Sequence, residues 1–419
     1  MHDYPRRRQD LHKINNSFIC FLFGFFWSTA LAFIAVGLTQ LSLYMFESAP
    51  EYDRPCEKRI VGYYHLTDTR EVTISQLSKL THLIIWAVQY QLNGNLGFGN
   101  SHEKENFKKI TAKAKPFKVK TMFTLEIGDY GSKNIPELMR NENKIEILIN
   151  AIVTFIRENQ LDGVNLHWEP PKTEEVQWFI TTLCKDIRTA LTRLQESTRR
   201  CCPYTISLIC QRQKVRLNFD EVLKYVDFLN LETDTYYAPW YGRSWNELIG
   251  PPTPLYSGFG ENSQENLDGT MKLYSCLTKK PNQLNVLVNF SGRIWRNVIL
   301  PKIPNDTLWM WAESKNGEVD GSWEFWRDLQ AKGWNIRNAS WNNESKTPYI
   351  WDPEKRVYMA FENERSIQEK MKYLEDKNIG GITTWSITRD DDMDTLLNVM
   401  VDAKLCSRKN NKDVMFNCR

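Results

Sequence analysis

Two periodicities alternate along this chain. Short apolar runs with strand character occur at 59–65 (RIVGYYH), 83–88 (LIIWAV) and 118–127 (KVKTMFTLEI). Segment 141–160 then places Ile145, Leu148, Ile149, Ile152 and Ile156 at helical spacing. A strand at 161–169 follows. After it, 173–196 carries Val176, Phe179, Ile180, Leu183, Ile187, Leu191 and Leu194 on one helical stripe. Further strands are predicted at 206–210, 226–231, 284–290 and 381–387, and further helices at 366–376 and 394–405. Strands that alternate with helices pair in parallel. Eight such units predict an α/β fold, a (β/α)8 TIM barrel. An open doubly wound sheet is the rival. It is weakened because no Gly-rich phosphate turn follows a strand. Segment 294–358 breaks the alternation with several Trp and turn formers, so it predicts a small insertion on the barrel rim after the seventh strand.

The N-terminal pattern is different in kind. Residues 18–38 are almost continuously apolar, long enough for one membrane-crossing helix of ~20 residues. Arg6, Arg7, Arg8 and Lys13 precede this run, and Glu47, Glu51 and Asp53 follow it. That bias predicts a transmembrane signal anchor with a cytoplasmic tail at 1–17. A spacer at 39–57, the barrel domain at 58–405 and a tail at 406–419 would lie outside the cell or in a lumen, as in a single-pass type II protein. A cleaved signal peptide is the rival, and would make the protein secreted.

Charge and cysteine change the picture in two ways. The net charge is +3, and Lys and Arg are dispersed, so no nucleic-acid partner is expected. Cys20 falls in the apolar segment. The other eight, Cys56, Cys184, Cys201, Cys202, Cys210, Cys276, Cys406 and Cys418, suit disulfides in an exported domain. Separate disulfides are expected for Cys201 and Cys202, with a vicinal bridge as the alternative. No tight CxxC pair occurs, so neither a metal nor any other cofactor is expected. Glycosylation sequons stand at Asn289, Asn305, Asn338 and Asn343, the first inside a predicted strand. Trp86 reads as a packing residue. Asp390-Asp391-Asp392 reads as a solvated turn capping the last helix.

The chemistry concentrates in Leu161-Asp162-Gly163-Val164-Asn165-Leu166-His167-Trp168-Glu169. Successive strand side chains point to opposite faces, so Asn165, His167 and Glu169 share one face. Three polar groups in line on a buried strand predict the floor of a site.

This strand, together with Gly62-Tyr63-Tyr64, Leu80-Thr81-His82, Phe361-Glu362-Asn363-Glu364-Arg365-Ser366 and Gly381 through Trp385 to Asp390-Asp391, resembles glycoside hydrolase family 18, the chitinase family. With the apolar segment and Gly250-Pro251-Pro252-Thr253-Pro254-Leu255-Tyr256 added, the chain is similar to nematode chitinase-like membrane proteins. The family's fourth strand reads Asp-Gly-x-Asp-x-Asp-x-Glu. Asp162, Gly163 and Glu169 match it, whereas Asn165 and His167 replace two acids. The resemblance implies a substrate-assisted mechanism, in which the Glu protonates the leaving oxygen and the sugar's own acetamide attacks. The neighbouring Asp stabilises the cationic intermediate. His167 offers no anion there, and losing one preorganised electrostatic partner typically costs ~10²–10³ in rate.

Other family positions are altered too. The sixth-strand Met-Thr-Tyr-Asp stands here as Glu232-Thr233-Asp234-Thr235. The third-strand Ser-x-Gly-Gly stands as Glu126-Ile127-Gly128-Asp129, and the seventh-strand Pro-x-Tyr-Gly-Arg as Asn289-Phe290-Ser291-Gly292-Arg293. Trp385 matches the family's ring floor and Tyr63 the aromatic beside it. The resemblance implies a membrane-anchored, non-catalytic protein that binds chitin or related N-acetylglucosamine oligosaccharides. Tyr63, Asn165, His167, Asp234, Tyr236, Arg293 and Trp385 would contact the sugar, with Glu169 as a remnant proton donor. A compensating His167–Asp234 pair is expected. An active glycosidase with altered chemistry, and a structural or signalling ectodomain without sugar binding, are the alternatives.

Overall fold

The structure is a computed structural model that describes residues 58–91, 93–126, 141–167, 174–213, 217–239, 247–256, 265–300, 310–403, 405 and 416–418. The predicted membrane span, 18–38, lies outside these. Among the described residues no helix is long and apolar enough to cross a membrane.

Eight strands close into a barrel: β1 (Arg59–His65), β2 (His82–Tyr90), β3 (Lys120–Glu126), β4 (Gly163–His167), β5 (Thr205–Gln211), β6 (Phe228–Glu232), β7 (Leu284–Asn289) and β8 (Gly381–Trp385). Every neighbouring pair is parallel, and β1 pairs with both β8 and β2, which completes the ring. A two-residue strand, Leu96–Gly97, adds to β2 in the antiparallel sense. The helices that follow the strands are α1 (Ile74–Lys79), α2 (Ser101–Ala114), α3 (Glu142–Asn159), α4 (Glu174–Thr198), α5 (Phe219–Val222), α6 (Leu267–Thr278), α7 (Glu364–Asp376) and α8 (Thr395–Asp402).

Local chemistry sets the helix ends. Asn141 accepts a hydrogen bond from the Lys144 amide and starts α3, and Gln160 ends it in the left-handed region at φ 54°. The stripe foreseen on α4 buries Phe179, Ile180, Leu183, Ile187, Leu191 and Leu194 against the barrel wall. At the foot of β4 only glycine fits, because a Cβ on Gly163 would stand 1.9 Å from the Thr205 carbonyl oxygen of β5. Asp162, just before it, accepts from the Thr121 amide and pairs with Arg200 at 2.5 Å, so this matched acid pins the bottom of the barrel.

The rim insertion is a sheet of its own. Its antiparallel order is Gly321–Phe325, Ser291–Trp295, Val357–Ala360, Thr347–Asp352 and Ser340–Asn342. It begins at Ser291, directly after β7, and ends at Ala360, slightly wider than expected. Trp295, Tyr358 and Ala360 pack with Tyr236, Tyr237 and Ile249 in a satellite core.

Two expectations need correction. Among the described cysteines, Cys276 and Cys418 form a disulfide, while Cys184, Cys201, Cys202 and Cys210 are free, and the Cys201 and Cys202 sulfurs lie 3.3 Å apart. Cys56 and Cys406 lie outside the described residues. Asp390 is not solvated. It is fully buried and accepts the Leu396 and Leu397 amides at the start of α8, which keeps the capping role and removes the water. Burial pushes its carboxyl up to about 6.

Candidate functional site

The barrel interior is filled by two kinds of residue. Val61, Ile84, Met122, Phe228 and Leu287 form an apolar plug together with Tyr63. Interleaved with them is a neutral hydrogen-bond network. Asn165 donates to Thr124 Oγ1 at 3.0 Å and accepts from Ser207 Oγ at 2.7 Å. Asn230 donates to the Tyr63 hydroxyl at 3.1 Å and to Asn165 Oδ1 at 3.4 Å. Asn285 and Thr383 both donate to Asn230 Oδ1, at 3.0 and 3.1 Å. Asn165 is completely buried in this network. Its predicted contact with a ligand is therefore corrected: it holds the floor from beneath.

Above the network lies an aromatic platform. Trp385 from β8 stands 5.1 Å from Tyr63 and 4.9 Å from Trp86, ring centre to ring centre. Trp86 in turn lies 4.8 Å from the His167 ring. Trp86, read from sequence as packing, is thus a site residue, and both it and Trp385 are only partly buried. The peptide bond that follows each of these tryptophans is cis.

His167 ends β4 on this platform. Burial lowers its pKa to about 4, so the imidazole is neutral at physiological pH. Glu126, at the end of β3, lies beside it, with Nδ1 to Oε1 at 4.0 Å. The expected His167–Asp234 pair is not formed. Asp234 instead accepts from Asn289 Nδ2 at 3.0 Å and from Thr235 Oγ1 at 3.3 Å. The physical reason is that a neutral imidazole has no charge for Asp234 to balance, whereas two guanidinium groups lie on the β7–β8 side. Asn289 Oδ1 accepts from Ser291 and from Arg389 Nη1, and Ser291 Oγ accepts from Arg293 Nη1 at 2.7 Å. Burial lowers the pKa of Arg293 to about 10, and the charge of Asp234 works against that.

Glu232 closes β6 beside Asp234. Its carboxyl has no hydrogen-bond partner among the described residues, and burial, reinforced by the charge of Asp234, pushes its pKa up to about 7. Tyr236 does not join the site. It is buried toward the rim sheet and its hydroxyl donates to Thr270 Oγ1 at 2.7 Å. Glu169 lies outside the described residues. The structure therefore brings Tyr63, His167 and Trp385 together, places Asp234 and Arg293 in a second polar cluster, and adds Trp86, Glu126, Glu232, Asn289 and Arg389. Glu232 was legible as an acid at an inward strand position, two residues beyond Asn230.

Comparison with known proteins bears directly on this arrangement. The family model for glycosyl hydrolases family 18 matches residues 59–390, which contain all eight strands and the rim sheet. The chain belongs to glycoside hydrolase family 18. This family 18 chain is 24% identical over 325 residues to a chitinase of Autographa californica nuclear polyhedrosis virus, a match covering 73% of this chain and 57% of that protein. The chain thus spans less than two thirds of the length of the curated relatives it matches first. The class V chitinase of Nicotiana tobaccum superposes with a TM-score of 0.71 at 16% identity, over 83% of this chain and 98% of that one. The chitinase-like agglutinin of Robinia pseudoacacia superposes with a TM-score of 0.67 at 18% identity, over 82% and 98%. At these identities the superpositions establish the fold alone.

Proposed function

We propose that this family 18 protein binds chitin-type oligosaccharides on the Trp385–Trp86 platform, which the buried Tyr63 supports from beneath, without hydrolysing them. The observation that carries the reading is the pairing of an intact ring floor with a neutral His167 at the end of β4. Ring stacking on an aromatic floor needs no catalytic carboxylate. A cationic sugar intermediate does need an anion held in place. Two relatives of the same fold support a binding role. A mutant of the Nicotiana chitinase is described in complex with NAG4, and the Robinia protein is described as an agglutinin. The reading includes anchoring by residues 18–38, with the barrel on the extracellular or luminal side.

Hydrolysis with relocated acids is the second reading, and one observation favours it: Glu232, at about 7, titrates where a proton donor works best. One pair of assays on the full chain separates the two. Retention on chitin beads that disappears in Trp385→Ala, with no turnover of a chromogenic chitotrioside, is the expected result. Turnover that vanishes in Glu169→Gln or Glu232→Gln would establish an enzyme instead.

A further inference from the structure

The charges around the platform are unequally matched, and the mismatch points to a ligand. Asp234 is compensated: Asn289 donates to it, and Arg293 and Arg389 are tied to the same hydrogen-bonded chain. Glu126 faces the imidazole of His167. Arg212 pairs with Glu265 at 2.9 Å. Glu232 stands differently. It closes β6 on the same inward face as Asn230, couples electrostatically to Tyr63, Asp234 and the Arg212 that Glu265 holds, and makes no hydrogen bond or close ion pair of its own among the described residues. A recessed carboxyl without a hydrogen-bonded partner is costly to ionise. A ligand that brings a positive charge removes that cost. The partly exposed faces of Trp86 and Trp385 attract a cation as well.

We propose that the site selects a hexosamine unit bearing a free, protonated amine over its N-acetylated form, with Glu232 receiving the ammonium group. This rests on the sugar-binding reading above and narrows its ligand class. An acetamide can offer Glu232 one N–H and no charge. An ammonium offers three N–H donors and the charge. The sugar ring lies on the tryptophan platform in either case, so the rings supply affinity and Glu232 supplies the choice.

The test is isothermal titration of the full chain with β-1,4-linked glucosamine and N-acetylglucosamine oligomers of equal length. The glucosamine oligomer is expected to bind about tenfold more tightly, the scale of one well-placed charge contact. Glu232→Gln is expected to abolish that preference, bringing the glucosamine oligomer down to the affinity that the same variant shows for the N-acetylated one. In the wild-type chain the preference should also shrink as salt is raised, a readout that does not depend on any variant folding. Equal or tighter binding of the N-acetylated oligomer overturns the inference and leaves the sugar-binding reading standing. A preference that survives in Glu232→Gln, or is insensitive to salt, also overturns it. Binding of neither oligomer overturns the sugar-binding reading itself, and the inference with it.

Discussion

At the scale of single residues, the site combines a neutral base with an acid that resists ionisation. Glu232 illustrates how this reaches stability. In the folded chain its carboxyl is pushed up to about 7, above the ordinary 4.5 that the unfolded chain shows. Between those values the folded state holds a proton that the unfolded state has released. Its ionisation therefore destabilises the fold above about pH 7, and that penalty disappears as pH falls toward the unfolded value. Glu232→Gln should stabilise the protein by about 3 kcal/mol at high pH and by far less near the unfolded carboxylate pKa. Urea unfolding of both proteins at pH 8 and pH 5 checks this, and an equal difference at the two values would refute it. His167 acts with the opposite sign. Its folded pKa of about 4 lies below the ordinary 6.5, so stability is lost as pH falls through that window. Because both proteins contain His167, its effect cancels in the difference. Alternation along β4 made the inward face of Asn165 and His167 legible in the sequence. It did not show that Asn165 is sealed under the floor, because that depends on Thr124, Ser207 and Asn230 arriving from three other strands.

At the scale of elements, each of the eight barrel strands was visible as an apolar run, and α3 was visible to within its cap residues. The reason is local: a strand buried between barrel core and helix layer must be apolar, and Asn141 and Gln160 carry the capping and left-handed chemistry themselves. The rim sheet was legible only as an interruption. Its strands are short, mix polar with aromatic residues, and pair Ser291–Trp295 with Val357–Ala360 across a long stretch of chain. Periodicity within a short window cannot register such pairing. The interior polar network was equally hidden, yet it joins most strands of the barrel. Asn230 is its node, with Tyr63, Asn165, Asn285 and Thr383 as partners. Asn230→Ala leaves those buried groups short of partners, so a loss of about 3–5 kcal/mol is expected. A denaturant midpoint within error of wild type would show that the network reorganises at no cost. The double variant Asn230→Ala with Thr383→Val should lose less than the sum of the two single variants, because Thr383 donates to Asn230.

At the scale of the whole molecule, the Cys276–Cys418 disulfide links α6 to the C-terminal segment across a sequence separation of 142 residues. The sequence led to the expectation of disulfides in an exported domain but could not choose partners, because pairing depends on which helix the chain end reaches. Closing so long a loop restricts the unfolded chain and contributes up to about 5 kcal/mol in the chain-entropy account. A disulfide of this kind persists outside the cytosol and is reduced within it. The pairing therefore bears on the proposed anchor. If residues 18–38 hold the barrel on the extracellular or luminal side, Cys276 and Cys418 should resist alkylation in native membranes until a reductant is added, while exposed Cys201 and Cys202 react at once. The same chain should stay with the membrane fraction after alkaline carbonate washing. Mass-spectrometric mapping of alkylated peptides, with and without reductant, reads both thiol classes in one sample. Prompt labelling of Cys276 and Cys418 without reductant would place the barrel in a reducing compartment and reverse the proposed orientation. Protection of the pair in chain that the carbonate wash releases would keep the export and replace the anchor with a cleaved signal.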